Sequence, residues 1–297
     1  MNRAIMERIE TKLEEIGSLP TIPTLLVPLL QHLCEPAEEV SIEQVVTIIS
    51  RDPSLAAQCL RMINSPLFGM RYPIDTVRGA VMGLGVNRVR QIAMACSLLK
   101  AFAGKGVVPA RALWAHSLAV AMVAQKFCHQ AGYAAPEQAY SAGLLHDLGI
   151  MVAMAACPAE FETAALAASR EHRALYLCER EHNGFDHCEI GGMLAQKWSL
   201  PATYYNVLRH HHEVEQATEH RCLAAIVSLS DILCRLRNLG YGFEEIGFID
   251  LATEPAWAFA AAELPQMRDF DLARFTLELD AFITEVEQSV TTLFELV

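Results

Sequence analysis

Paired cysteines, long apolar runs and an excess of positive charge are all missing from this sequence. Its nine cysteines (Cys34, Cys59, Cys96, Cys128, Cys157, Cys178, Cys188, Cys222 and Cys234) are scattered, odd in number and never spaced as CxxC. That argues against a disulfide scaffold or a cysteine-rich zinc knot and reads as reduced, mostly buried thiols in a cytoplasmic protein. Lys and Arg number 23 against 35 Asp and Glu, a formal net charge of -12. A nucleic-acid surface draws on clustered cations, so direct nucleic-acid binding is not expected; Arg88 and Arg90 read as capping or solvating a helix. Residues 1–15 are polar and mixed in charge, unlike an apolar cleavable leader. The most apolar stretch, 143–157, is interrupted by His146 and Asp147 and falls short of a membrane span, so no membrane partner is expected. Alternating runs of β-branched residues are scarce, and no internal repeat or low-complexity segment is visible.

What is present favours helices. The 297 residues are 53% hydrophobic and 20% charged, enough to bury a sizeable core. Ala, Leu, Met, Glu and Gln dominate, which predicts an all-α, two-lobed helical bundle. In the first hundred residues, prolines and polar breaks separate short helices. Ser41 followed by Gln44 suits a capping box, and Asp52-Pro53 supplies an N-cap and a first helical residue for a helix reaching about Ile63. Residues 104–108 are a candidate boundary, dividing an N-terminal lobe (1–105) from a second lobe (106–241). In the second lobe helices are predicted over 110–130, 137–156, 158–170, 173–181, 188–198, 201–210 and 221–239. The tail, 242–297, holds 12 acidic residues against Arg268 and Arg274. Leu272, Phe275, Leu279, Phe282, Val286, Val290 and Leu293 recur there at helical spacing, a single apolar stripe that either packs on the body or forms a homodimer seam.

The residues suited to chemistry are His116, the pair His146-Asp147, His187, the pair His211-His212, and Asp231. Imidazole with carboxylate suits borderline first-row divalent metals, and a bundle can aim ligands from several helices into one interior pocket. Adjacent helical residues diverge by about 100°, so His146 and Asp147 can approach one ion from two sides or the carboxylate can bridge two. An ionised Asp147 amid Leu144, Leu145, Leu148, Ile150 and Met151 is costly unless paired or metal-bound. Against this stand simpler readings: a lone His116 is most often a hydrogen-bonded core residue, and the run His210-His211-His212 suits a solvated helix end. His32, His129, His172, His182 and His220 carry no expectation of a site.

Taken in order, a set of segments resembles the HDOD family (HD-related output domain) of the HD superfamily, over roughly residues 19–238. They are Leu19-Pro20-Thr21-Ile22-Pro23, Arg51-Asp52-Pro53-Ser54-Leu55, Asn64-Ser65-Pro66-Leu67-Phe68-Gly69 and Ala80-Val81-Met82-Gly83-Leu84-Gly85. His116, Gly143-Leu144-Leu145-His146-Asp147-Leu148-Gly149, Gly184-Phe185-Asp186-His187, Trp198-Ser199-Leu200-Pro201 and His211-His212-Glu213 follow. The resemblance implies a bacterial regulatory module with an HD-like second lobe, working with a receiver, sensor or regulator protein. HD-superfamily phosphohydrolases imply His116, His146, Asp147 and Asp231 as ligands, and the related HD-GYP phosphodiesterases add His187, His211 and His212. Two divalent ions are then expected, iron or manganese ahead of zinc or nickel, with a nucleotide or phosphate as the conceivable ligand. Were the chain an enzyme, Asp147, His211 and His212 would carry the catalysis. It departs from HD-GYP at Ile150, where that group has Lys, and after Glu213, where Val214-Glu215-Gln216-Ala217 replaces a Gly-Tyr-Pro loop. Cyclic di-GMP hydrolysis is therefore not expected. No receiver or sensor module is recognisable, so the input is expected through a partner, a ligand or transcriptional control.

Overall fold

The computed structural model describes residues 3–19, 22–34, 41–64, 70–101, 110–240 and 249–295. Pro20, Thr21, residues 65–69, the boundary at 104–108 and the start of the tail at 242 lie outside the described residues. Among the described residues the chain is all-α. The helices are α1 (Arg3–Gly17), α2 (Val27–Cys34), α3 (Ile42–Ser50), α4 (Pro53–Ile63), α5 (Val77–Leu84), α6 (Val86–Ala101), α7 (Ala110–Ala131) and α8 (Pro136–Leu145). Then come α9 (Leu148–Ala156), α10 (Pro158–Glu171), α11 (Leu175–Asn183), α12 (His187–Lys197), α13 (Ala202–His210), α14 (Arg221–Arg235), α15 (Pro255–Glu263) and α16 (Leu272–Glu295). A single π-helical turn, Ile22–Leu26, leads into α2.

Local signals set many of these ends. Ser41 and Gln44 form the reciprocal capping box at α3, and the Asp52 carboxylate accepts from the backbone N–H groups of Ser54 and Leu55 with Pro53 behind it. The Asn64 side chain clasps the backbone of Ile74 in both directions, at 2.7 Å each, and so ties the segment before α5 to the end of α4.

Helices α3 to α6 pack together, and α6 and α2 lean on α8. Although α1 opens the chain, it lies across α9 and α12 of the second lobe. The ion pairs Lys197–Glu14 at 2.7 Å and Arg8–Glu160 at 2.5 Å fasten it there. The second lobe is built on α7, with α8 and α14 against its two sides. A Cβ on Gly143 would come within 2.8 Å of the Ala121 Cα, so that position must be glycine for α8 to approach α7 this closely. In the tail, Phe275, Leu279 and Val286 of α16 are buried against the body. Lys126–Glu278 (3.0 Å) and Arg237–Asp280 (2.7 Å) flank that contact. The side chains of Val290 and Leu293 lie outside the described residues.

One stretch, Pro136–Ala156, is long and apolar enough to cross a membrane, but 83% of its most apolar window is buried inside the chain, as a core helix pair would be. The continuous helix predicted over 137–156 is a correction. The chain breaks between α8 and α9, with His146 and Asp147 forming the corner. His146 keeps helical backbone angles (φ -52°, ψ -38°). Asp147 takes φ -100° and ψ 15°, outside the helical basin. Beyond the corner, a Cβ on Gly149 would collide with the carbonyl oxygen of His187, so glycine lets α9 press directly onto the start of α12.

Candidate metal centre

Five elements converge on one buried point. His116 comes from the middle of α7, His146 and Asp147 from the α8–α9 corner, His187 from the first position of α12, His211 and His212 from the end of α13, and Asp231 from α14. His116, His146, His187 and His211 are wholly buried, and Asp147 and Asp231 are each 1% exposed. The His212 side chain reaches solvent at 10%. Thus the structure brings all seven sequence-predicted residues together, and His129, His172, His182 and His220 lie outside the clusters.

Asp147 is the hub. Its oxygens lie 3.1 Å from Nε2 of His146 and 3.5 Å from Nε2 of His116, His187 and His211. Yet neither Asp147 oxygen finds a hydrogen-bond partner, nor do Nε2 of His146 and His187. The opposite ring nitrogens explain the arrangement. Nδ1 of His146 meets the carbonyl of Gly143 at 2.7 Å, Nδ1 of His116 that of Leu239 at 2.6 Å, and Nδ1 of His211 that of Val207 at 3.0 Å. Nδ1 of His187 meets the Glu179 carboxylate at 2.6 Å. Because carbonyls and carboxylates only accept, each Nδ1 is a donor, which leaves Nε2 turned toward Asp147, as a lone pair where the ring is neutral and as a second N–H where it is protonated. Lone pairs pointing at an ionised carboxylate in a dry interior repel one another unless a cation or protons lie between them. This donor set fits a divalent metal, and the same second-contact pattern orients metal-binding imidazoles generally.

Asp147 sits at the N-cap position of α9 but makes no side-chain cap bond, so its carboxylate faces the helix dipole and stays available. Burial alone would raise its pKa, but His146, then His211 and His187, hold it well below the usual carboxylate value. Burial opposes the charged form of His211 too; Cys188 and Asp147 outweigh it and lift that imidazole to about 10. His212 is driven the other way, by burial and by His211 and His187 beside it, and stays a neutral lone-pair donor. Asp231 also lies far below its ordinary value; burial opposes this, while Arg235 and then His116 impose it.

Five contributors were not anticipated from sequence. Glu179, 2% exposed on α11, accepts both the backbone N–H (3.0 Å) and Nδ1 of His187. Arg235 grips Asp231 with Nε at 3.0 Å and Nη2 at 2.9 Å; its i+4 spacing on α14 is the signal that could have found it. Tyr176 stacks on His212 at 4.6 Å and 17°, and the Arg180 guanidinium lies over the Tyr176 ring at 5.2 Å from its centroid. Cys188 follows His187 and faces His211. Arg180 also pairs with Asp186, the N-cap of α12, at 2.5 Å and takes Glu213 in a two-pronged grip at 2.6 Å. The Glu213 carboxylate thereby anchors the turn that carries His211 and His212. Ile150 is wholly buried and brings no charge to the centre.

The ligand groups overlap. One set is His116, His146 and Asp231; a second is His146, Asp147 and His211; a third is His187, Cys188, His211 and His212. Within each set the ligand atoms all lie within 4.8 Å of one another.

The HDOD domain family model matches residues 19–214. The chain belongs to the HDOD family. An HDOD-domain protein of unknown function from Geobacter sulfurreducens is 31% identical, with a TM-score of 0.81 over 97% of this chain and 99% of that one. A protein from Shewanella amazonensis described as a candidate phosphohydrolase shares the fold, at 22% identity and a TM-score of 0.71 over 98% of each chain. An uncharacterized protein of Treponema pallidum (strain Nichols) is 25% identical over 239 residues. Those cover 78% of this HDOD chain but 45% of that protein, so the chain spans less than half the length of that relative. Asp231 and Arg235 lie beyond the residues matched by the family model, on the helix that closes the centre from the far side.

Proposed function

We propose that this HDOD protein is an output and interaction module of a bacterial signalling system, in which a His/Asp metal centre holds the second lobe in its binding conformation. The observation that carries the metal is the set of tied imidazoles aimed at an Asp147 carboxylate with no hydrogen-bond partner. Two ions would suit the overlapping ligand groups: His116, His146 and Asp231 would hold one, with Asp147 available beside His146, and His187, His211 and His212 would hold the other. Iron or manganese matches the nitrogen and oxygen donors of the first set. Burial supports an interaction role over catalysis. Of the seven residues only His212 reaches solvent appreciably, and Tyr176 lies flat against it. A signalling protein, such as a receiver or sensor, is the partner this reading calls for, in the cytoplasm.

The second reading is a metal-dependent phosphohydrolase, favoured by the presence of both carboxylates and four wholly buried imidazoles at one point. When bound, a metal pair supplies an activated water and stabilises charge on a phosphoryl group. Asp147 would then orient the ions, and whichever of His211 and His212 did not hold an ion would hand a proton to the leaving oxygen.

Metal analysis of protein purified without chelator, compared with Asp147→Ala and joined to assays on cyclic di-GMP and nucleotide monophosphates, separates the two. The expected result is stoichiometric metal, reduced in Asp147→Ala, with no turnover. Asp147-dependent turnover would overturn the interaction reading, and absence of metal from the native chain would overturn the metal centre itself.

A further inference from the structure

Cys188 is a member of the cluster that neither the sequence spacing nor the family resemblance brings forward. It occupies the second position of α12, is 2% exposed, and its sulfur lies 3.8 and 3.7 Å from Nδ1 and Nε2 of His211. Ligand atoms of His187, Cys188, His211 and His212 all fall within 4.8 Å of one another. A separate observation points to a bound ion there: Nε2 of His187 is buried with no hydrogen-bond partner while its Nδ1 is fixed by Glu179. The set around His116, His146 and Asp231 offers nitrogen and oxygen alone. The two ends of the centre are therefore chemically unlike.

We propose that Cys188 coordinates, as a thiolate, a divalent ion that His187, His211 and His212 also hold, making this end of the centre a closed site of three nitrogens and one sulfur. The inference rests on the metal-holding reading above and narrows it. As the sulfur–metal bond forms, the S–H proton leaves to solvent and nothing is oxidised. A thiolate among imidazoles selects zinc or iron(II) over manganese or magnesium. Four protein ligands fill a tetrahedral shell, which is the arrangement of structural rather than catalytic zinc sites, since no position is left for a reacting water. Such an ion would join the start of α12 to the turn after α13, the two places where Glu179 and Arg180 already converge. The end bearing Asp147, His116, His146 and Asp231 would be left as the exchangeable position.

The test uses the full chain loaded separately with zinc and cobalt(II), as native protein and as Cys188→Ser. X-ray absorption of the zinc-loaded native chain should show one sulfur at about 2.3 Å beside nitrogens at about 2.0–2.1 Å. The cobalt(II) form should show an intense near-ultraviolet sulfur-to-metal band that vanishes in Cys188→Ser, with zinc affinity reduced at least about tenfold. Metal bound through nitrogen and oxygen alone, with cobalt spectra identical in the two proteins, would overturn the thiolate and leave the metal centre standing. A native chain that takes up neither ion overturns both. The absorption measurement needs no variant, so a folding defect in Cys188→Ser does not blunt it.

Discussion

Asp147 and Asp231 are each 1% exposed, and both lie within 3.5 Å of Nε2 of His116. Only Asp231 has a permanent counter-charge, the two-pronged grip of Arg235 one helical turn away. Asp147 has imidazoles around it and no hydrogen bond. A buried carboxylate with a guanidinium is satisfied by the chain itself; one surrounded only by imidazoles depends on the protons or the ion that lie between them. The contrast shows how one pocket can be partly prebuilt and partly dependent on what enters it. The α14 side is locked by its own sequence, while the α8–α9 corner is completed by protons or by an ion.

The largest effect should come from breaking the self-sufficient side. Arg235→Leu strands the Asp231 charge, and in the presence of chelator the folding free energy should drop by about 3–5 kcal/mol, as for a buried pair stripped of one member. Urea unfolding measures it, and added metal should recover part of the loss. A null effect would mean that Asp231 does not depend on Arg235. Asp147→Asn attacks the other side. It should lower metal affinity by at least about 100-fold while leaving the Arg235–Asp231 pair intact, since the mutation removes a direct ligand rather than a supporting partner. Metal content after gel filtration, with helicity by circular dichroism as control, decides it. Gly149→Ala pushes α9 away from the His187 carbonyl. It should cost about 1–3 kcal/mol through overpacking and weaken metal binding at the same time. Stability lost with metal affinity unchanged would show that the α9–α12 contact does not set the site.

The last effect is a pH dependence, the smallest when read over a single pH unit. With no ion bound, His211 titrates at about 10, above the 6.5 of an unperturbed imidazole. A raised value of this kind contributes stability that is fully present below about pH 6.5 and is lost as pH rises toward 10. A metal takes the place of the proton, so metal affinity should rise by about tenfold per pH unit for each proton displaced between those limits. Flat affinity across pH 7–9 would show that His211 does not surrender a proton to the ion.

Much of the fold was legible because its signals are local. Ser41 with Gln44 and Asp52 ahead of Pro53 start helices through side-chain to backbone bonds two or three residues long. Helical spacing likewise marked Phe275, Leu279 and Val286 as a buried stripe. The corner at His146-Asp147 was not legible, because helix formers run through it. The break goes with close tertiary packing, Gly149 of α9 lying against the His187 carbonyl of a helix some forty residues later. The site was readable as a list of residue types, and His116, His146, Asp147, His187, His211, His212 and Asp231 do converge. Glu179, Cys188 and Tyr176 were invisible, since a buried Glu, a lone Cys and a Tyr have no distinguishing spacing.

The sequence by itself determined an all-α chain of the HDOD family and supplied the imidazoles and carboxylates of its centre, because helix propensity, caps and residue chemistry are properties of short stretches. The tertiary structure alone decided which ring nitrogen of each histidine faces inward and which carboxylate receives an arginine. It also placed a cysteine among the ligands. Those outcomes depend on backbone carbonyls and side chains brought within hydrogen-bond distance from remote parts of the chain, such as Leu239 beside His116 and Glu179 beside His187.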